Sequence, residues 1–299
     1  MSECNHDCSS CSENCGERKE ANVFEKKPLH EGCRVGKVFG VVSGKGGVGK
    51  SMVTSQLAVA MRREGYNVAI LDADVTGPSI PKAFGIHERA GATADAIIPC
   101  YSGTGIQVMS VNVLLENETD PVVWRGPVIG GVVQQFWSDV LWEDVDYMFV
   151  DMPPGTGDVA LNVFQSLPVD GVIIVTSPQD LVAMVVEKAV KMAQMMDIPV
   201  LGLVENMAWF TPAELPENKY YIFGKEGAKD LAEEMNVPLL GQIPIVQSIC
   251  ENGDKGTPAA LNEDSITGRA FLALAENVVK QTELRNAGHA PTRIVELKK

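Results

Sequence analysis

The chain has 299 residues, 45% hydrophobic and 21% charged, with 25 Lys and Arg against 39 Asp and Glu for a formal net charge of −14. That balance suits one large α/β domain with appendages, and it excludes any global attraction to nucleic acid or anionic lipid. No apolar run approaches the about 20 residues needed to cross a bilayer. The polar N-terminus lacks the apolar centre of a secretory signal, so a cytoplasmic protein is expected, with neither nucleic acid nor membrane as partner.

The first 19 residues are almost devoid of apolar side chains and are expected to be mostly disordered. They carry Cys4, Cys8, Cys11 and Cys15 in a C-x3-C-x2-C-x3-C run. Thiols stay reduced in the cytoplasm, so clustered cysteines point to metal rather than disulfides. Four thiolates at short spacing suit a [4Fe-4S] cluster. A tetrahedral zinc site, with His6 as a substitute ligand, is the rival. Cys33, Cys100 and Cys250 are scattered. Residues 20–36 read as a linker broken by Pro28 and Gly32, and the compact domain is expected over 37–284.

Val38 to Val42 reads as a buried strand, and Met52 to Arg63 as a helix. Between them stands Gly44-Lys45-Gly46-Gly47-Val48-Gly49-Lys50-Ser51, which satisfies the phosphate-loop pattern in its proper strand–turn–helix context. Glycines let backbone N–H groups crowd onto phosphate oxygens, and the helix N-terminus adds partial positive charge. The nucleotide cradle is therefore expected from Gly44 through Met52. Lys50 is expected on the β- and γ-phosphates and the Ser51 hydroxyl on Mg²⁺.

The next strand, Asn67 to Leu71, ends in Asp72-Ala73-Asp74. Carboxylates at the carboxyl end of a parallel strand sit where open α/β sheets bind ligands. Asp74 is read as orienting or deprotonating the attacking water, and Asp72 as an outer partner of Mg²⁺; the alternative is that both only cap the turn. Asp146 to Val150 forms a third strand ending at Asp151, a second Mg²⁺ group, followed by Pro153-Pro154-Gly155-Thr156-Gly157. Gly155 there can approach the γ-phosphate. Further strands are expected at 171–176, 200–204 and 239–243, with helices over 181–196 and 266–280. Met184, Met192, Met195 and Met196 on the first of these helices read as core filler. The second is expected to dock on the body rather than on lipid, because its polar face is not strongly basic.

The second lysine of the loop, Lys45, gives the signature K-G-G-x-G-K-[ST], which resembles the deviant-Walker dimeric ATPases. Asp72 to Pro81, the W-R-G-P at Trp124 to Pro127 and the D-M-P-P-G-T-G-D at Asp151 to Asp158 narrow the resemblance. Over roughly residues 36–255 the chain resembles the Mrp (ApbC) iron–sulfur carrier ATPases. The resemblance implies a Rossmann-like, doubly wound three-layer P-loop fold with a mostly parallel sheet. It also implies a homodimer with ATP and Mg²⁺ between the subunits. In that group Lys45 reaches the partner's nucleotide, Asn206 reads the adenine edge, and hydrolysis is coupled to handing clusters to apoprotein recipients. No N-K-x-D guanine motif is present, so ATP is favoured over GTP. Slow turnover is expected of such a switch.

One departure stands out. Carriers of this kind usually place a C-x-x-C pair after the strand that ends in Asn206-Met207. This chain has Trp209-Phe210-Thr211-Pro212-Ala213-Glu214-Leu215-Pro216 there, with no cysteine. The alternative functional reading is a metal-independent partition or positioning ATPase acting through protein, DNA or membrane. A nitrogenase-iron-protein-like electron donor is a third, and it would need the missing pair. No function is assigned to 285–299.

Overall fold

The computed structural model describes residues 27–287 apart from 76, 118–125, 180–182, 213, 216, 226 and 263. The cysteines at 4, 8, 11 and 15, Trp124 and Arg125, and the tail after 287 lie outside the described residues. The elements run β1 (Val35–Ser43), α1 (Lys50–Arg63), β2 (Val68–Asp72), α2 (Ile80–Ala83), β3 (Gly91–Ala92), β4 (Ile97–Ile98), β5 (Cys100–Tyr101) and β6 (Gln107–Met109). They continue α3 (Gly126–Ser138), β7 (Val145–Asp151), α4 (Asp158–Ser166), β8 (Gly171–Thr176), α5 (Ala183–Met195) and β9 (Val200–Phe210). The last are α6 (Gly227–Glu234), β10 (Leu239–Ile245), α7 (Gln247–Asp254) and α8 (Ile266–Asn286).

Eight strands form the main sheet in the order β10-β9-β8-β1-β7-β2-β6-β5. All neighbours run parallel except the edge strand β5 against β6. The central strands are continuous runs of Val, Ile, Phe and Met because helices cover both of their faces. Right-handed crossovers place α1 on one face and α3 to α6 on the other. Packing agrees: α1 meets α8, α3 meets α4, and α5 meets α6. The order reverses at β1, which lies between β7 and β8. The crevice above its carboxyl end is the switch point where such sheets bind ligands.

The helix over 266–280 extends to Asn286 and does dock. Phe271, Leu274, Ala275 and Val278 are fully buried, and the Ser265 side chain caps its start by accepting from the Gly268 amide at 2.8 Å. Within the segment read as a linker, residues from 27 onward touch the domain. The Trp137 indole donates to the Lys27 carbonyl at 3.0 Å, and Leu29 and Cys33 pack on the core. The methionine stripe divides. Met192 and Met196 lie against the core, but Met184 and Met195 are 64% and 77% exposed. Those two stand three helical turns apart, so they share the outward face of α5.

Candidate nucleotide site

β1 delivers the chain to Gly44 with every residue from Val38 buried, so the loop starts from a rigid base. Gly47 and Gly49 adopt φ of 81° and 82°, the left-handed region that suits glycine. A Cβ at Gly46 or Gly47 would meet no protein atom within 4 Å, whereas one at Gly49 would overlap the Asn206 amide nitrogen. The loop thus turns an open, side-chain-free concavity outward. Gly49 is also the N-cap of α1, and no side chain caps the helix. The first-turn amides are thereby left to an anion, as the phosphate-loop reading requires.

Around this helix start the carboxyl ends of β1, β2 and β7 bring the expected residues together. Asp72 and Asp151 are register partners on adjacent parallel strands, and both are fully buried. Lys50 Nζ lies 2.8 Å from Asp151 Oδ1 and 3.7 Å from Asp74 Oδ2. Ser51 Oγ donates to Asp151 Oδ2 at 2.5 Å. Burial, and then the charge of Asp151, push the Asp72 carboxyl up to about 8; Lys50 and a hydrogen bond from Ser110 pull the other way. Asp72 is thus suited to hold its proton beside an ionised Asp151. Its Oδ1 also accepts from the Asp74 amide at 3.2 Å, which fixes the turn that presents Asp74.

The donor set fits a hard divalent cation. A hydroxyl and a carboxylate converge at one point, which suits Mg²⁺ completed by phosphate and water. Among the described residues no group of three His, Cys, Asp or Glu side chains is arranged to hold a metal ion by itself.

The backbone ties the neighbouring loops to this centre. The Gly155 amide donates to the Ser43 carbonyl at 2.9 Å, and Ala73 N donates to the Asp151 carbonyl at 2.9 Å. Gly155 itself has φ 88°, and a Cβ there would meet nothing within 4 Å. It thus faces open space beside the cradle. Lys45 turns back into its own chain, where Nζ donates to Gln179 Oε1 at 2.7 Å. Asn206 is 2% exposed and donates Nδ2 to the Val48 carbonyl at 2.8 Å. It lies beneath the loop, with its Oδ1 and the second Nδ2 hydrogen left to address a base. The next residue, Met207, has φ 59°, and β9 and β10 slip register between Asn206 and Phe210. A left-handed non-glycine residue in a strand is strain of the kind that collects at functional sites.

Three contributors escape sequence reasoning. Thr54 donates to Asp151 Oδ1 at 3.0 Å, Ser110 to Asp72 Oδ2 at 3.0 Å, and Gln179 holds Lys45. Thr54 carried a signal, since it sits one helical turn after Lys50. The other two needed the strand order. Past β9, the loop without cysteines is stitched shut by paired backbone bonds between Phe210 and Tyr220, both 2.8 Å, and Lys219 stands 4.0 Å over the Trp209 ring. Tyr220, Tyr221, Ile222, Phe223 and Leu215 on it are exposed, as is Glu214.

Residues 34–279 match the family described as NUBPL iron-transfer P-loop NTPase, of the ParA group. The iron–sulfur cluster carrier protein of Methanocaldococcus jannaschii is 39% identical over 95% of this chain and 99% of its own. That of Saccharolobus solfataricus is 45% identical over 82% of this chain and 83% of its own. Among solved structures, a nucleotide-binding protein from Archaeoglobus fulgidus in complex with ADP superposes with a TM-score of 0.67. It is 40% identical and covers 74% of this chain and 87% of its own. The cell division ATPase MinD of Pyrococcus furiosus shares the fold, with a TM-score of 0.61 at 24% identity, covering 82% of this chain and 99% of its own.

Proposed function

The chain belongs to the iron-transfer P-loop NTPases, and from that premise we propose that it is an ATP-hydrolysing iron–sulfur cluster carrier serving apoprotein recipients. The observation that carries the nucleotide half is the convergence of Ser51, Lys50 and Asp151 beside an open glycine cradle whose helix has no side-chain cap. Mg²⁺, when bound with the nucleotide, would neutralise charge on the β- and γ-phosphates.

The chain's own groups do the rest. The amides of Gly46 to Ser51 bind phosphate oxygens, and Lys50 exchanges its carboxylate partners for the phosphates. Ser51 would hold the metal through its hydroxyl, and Asp151 would hold it through water. Asp74, held at the rim by Asp72, orients the attacking water. Asn206 Oδ1 is the acceptor for the adenine amino group. Gly155, hydrogen-bonded to Ser43, senses the γ-phosphate and carries its loss into the loop after β7. The working unit is a homodimer in which Lys45 crosses to the partner's nucleotide, and its place is the cytoplasm.

The cargo is taken by Cys4, Cys8, Cys11 and Cys15, because the loop after β9 offers no thiolate. Anaerobic reconstitution with iron and sulfide tests this. The intact chain should take up about four iron per chain and develop the broad visible absorption of a cubane cluster. The chain with all four cysteines changed to Ser should not. Equal uptake by both would leave the metal-independent partition reading. Zinc retention in place of iron would favour a structural site.

A further inference from the structure

Gln179 has no assigned role, yet it is the partner of the signature lysine. It follows Ser177 and Pro178 at the carboxyl end of β8, level with the cradle. Its amide is neutral, so it holds the ammonium by one hydrogen bond rather than by an ion pair. Such a hold yields readily to a phosphate oxygen.

The peptide that carries Gln179 is wedged on its other side. A Cβ at Gly224 would come 2.7 Å from the Pro178 carbonyl oxygen, and one at Gly227 would come 2.9 Å from it. Gly224 also has φ 116°, so the chain there is built for this close backbone approach. Gly224 lies four residues past Tyr220, whose pairing with Phe210 closes the loop after β9, and Gly227 opens α6. That loop displays Tyr220, Tyr221, Ile222 and Phe223, the last three at 40%, 59% and 37% exposure. Lys45, Gln179, Pro178 and the glycines of the loop therefore form one contiguous stack without an intervening side chain.

We propose that Gln179 is a positioning residue for Lys45. Its amide parks the lysine within its own subunit, and its peptide couples that parking to the 211–224 loop. Release of Lys45 to a partner's nucleotide and displacement of this loop are then one event. Occupancy of the cradle is reported at an aromatic surface, and whatever rests on that surface biases the lysine in return. This deepens the nucleotide-gated dimer reading and rests on it.

The test is hydrogen–deuterium exchange on the full chain, with and without ATP and Mg²⁺, following peptides over 44–52 and 218–224. Sedimentation of the same samples reads nucleotide-driven self-association. ATP should slow exchange at 44–52 and change it at 218–224. Gln179→Ala should shift 218–224 in nucleotide-free protein toward its ATP level and strengthen association. Gln179→Glu supplies a full charge to hold Lys45 and should weaken association by about fivefold or more, the low end of ordinary coupling between sites. Gly227→Ala, which crowds Pro178, should disturb the response at 44–52 to a lesser degree. A response at 44–52 with none at 218–224 overturns the proposal. So do Ala and Glu variants that move association in the same direction, as a merely structural Gln179 would. No response at 44–52 instead removes the nucleotide site, and the proposal with it.

Discussion

Lys50 stabilises the fold before it ever meets a phosphate, and Lys50→Met isolates that contribution. The ammonium is 6% exposed, 2.8 Å from the wholly buried Asp151 and 3.7 Å from Asp74. Met fills much the same volume without charge. Asp151 would keep its bonds from Ser51 and Thr54 but would stand ionised beside Asp72 with no cation. Breaking a buried pair from one side costs about 3–5 kcal/mol. The two hydroxyl donors hold the loss near the lower end, at about 3 kcal/mol. For a domain of this size each kcal/mol moves the melting midpoint by about 2–4 °C, so a fall of about 6–12 °C is expected. Far-UV circular dichroism melts in EDTA at pH 8 measure it. The deficit should shrink at pH 6, where a carboxyl can neutralise itself by taking a proton. A midpoint within about 2 °C of the parent at pH 8 would refute the claim that this lysine compensates the buried carboxylates.

Asp72→Asn tests the raised carboxyl. Folded Asp72 titrates at about 8 against an ordinary value of 3.8, so the folded state keeps a proton that the unfolded chain has released. Its contribution is complete below about pH 4 and is lost as pH rises to about 8. Urea midpoints of metal-free protein at pH 5, 6.5 and 8 should therefore decline less in the variant than in the parent. Gly49→Ala places a Cβ at φ 82° against the Asn206 amide. Calorimetry should show ATP binding weakened by at least about tenfold, given a strain of about 1–2 kcal/mol plus the clash. Phe271→Ala empties a fully buried site under α8. It should cost about 3–5 kcal/mol in urea unfolding, and an unchanged midpoint would mean the helix is not docked.

What could be read from the sequence is what is local. The phosphate loop, Asp72, Asp74 and Asp151 announce themselves because a strand, a turn and a helix start leave a pattern within about ten residues. The parallel sheet is legible for the same reason, since its strands are unbroken apolar runs ending in polar turns. The errors lie where distant segments meet. Nothing near Lys27 says that Trp137 will bind its carbonyl, and nothing near Lys45 says that Gln179 lies within reach. β9 was expected to stop at Val204, because Glu205 and Asn206 look like the start of a loop. Both are buried, and Glu205 accepts from the Ala228 amide and the Gln242 side chain. The pairing with β10 carries the strand on to Phe210. The outward methionines of α5 show a related limit, since periodicity reveals which residues share a face but not whether that face is covered.

The indole of Trp137 fastens Lys27 at the amino-terminal pole of the sheet, because α3 ends where β7 begins. The cradle opens at the other pole. Two copies joined mouth to mouth would turn both of these anchorage points outward. Anything carried ahead of Lys27 would then set out from the far tips of an elongated pair, with the fuel gripped at its waist.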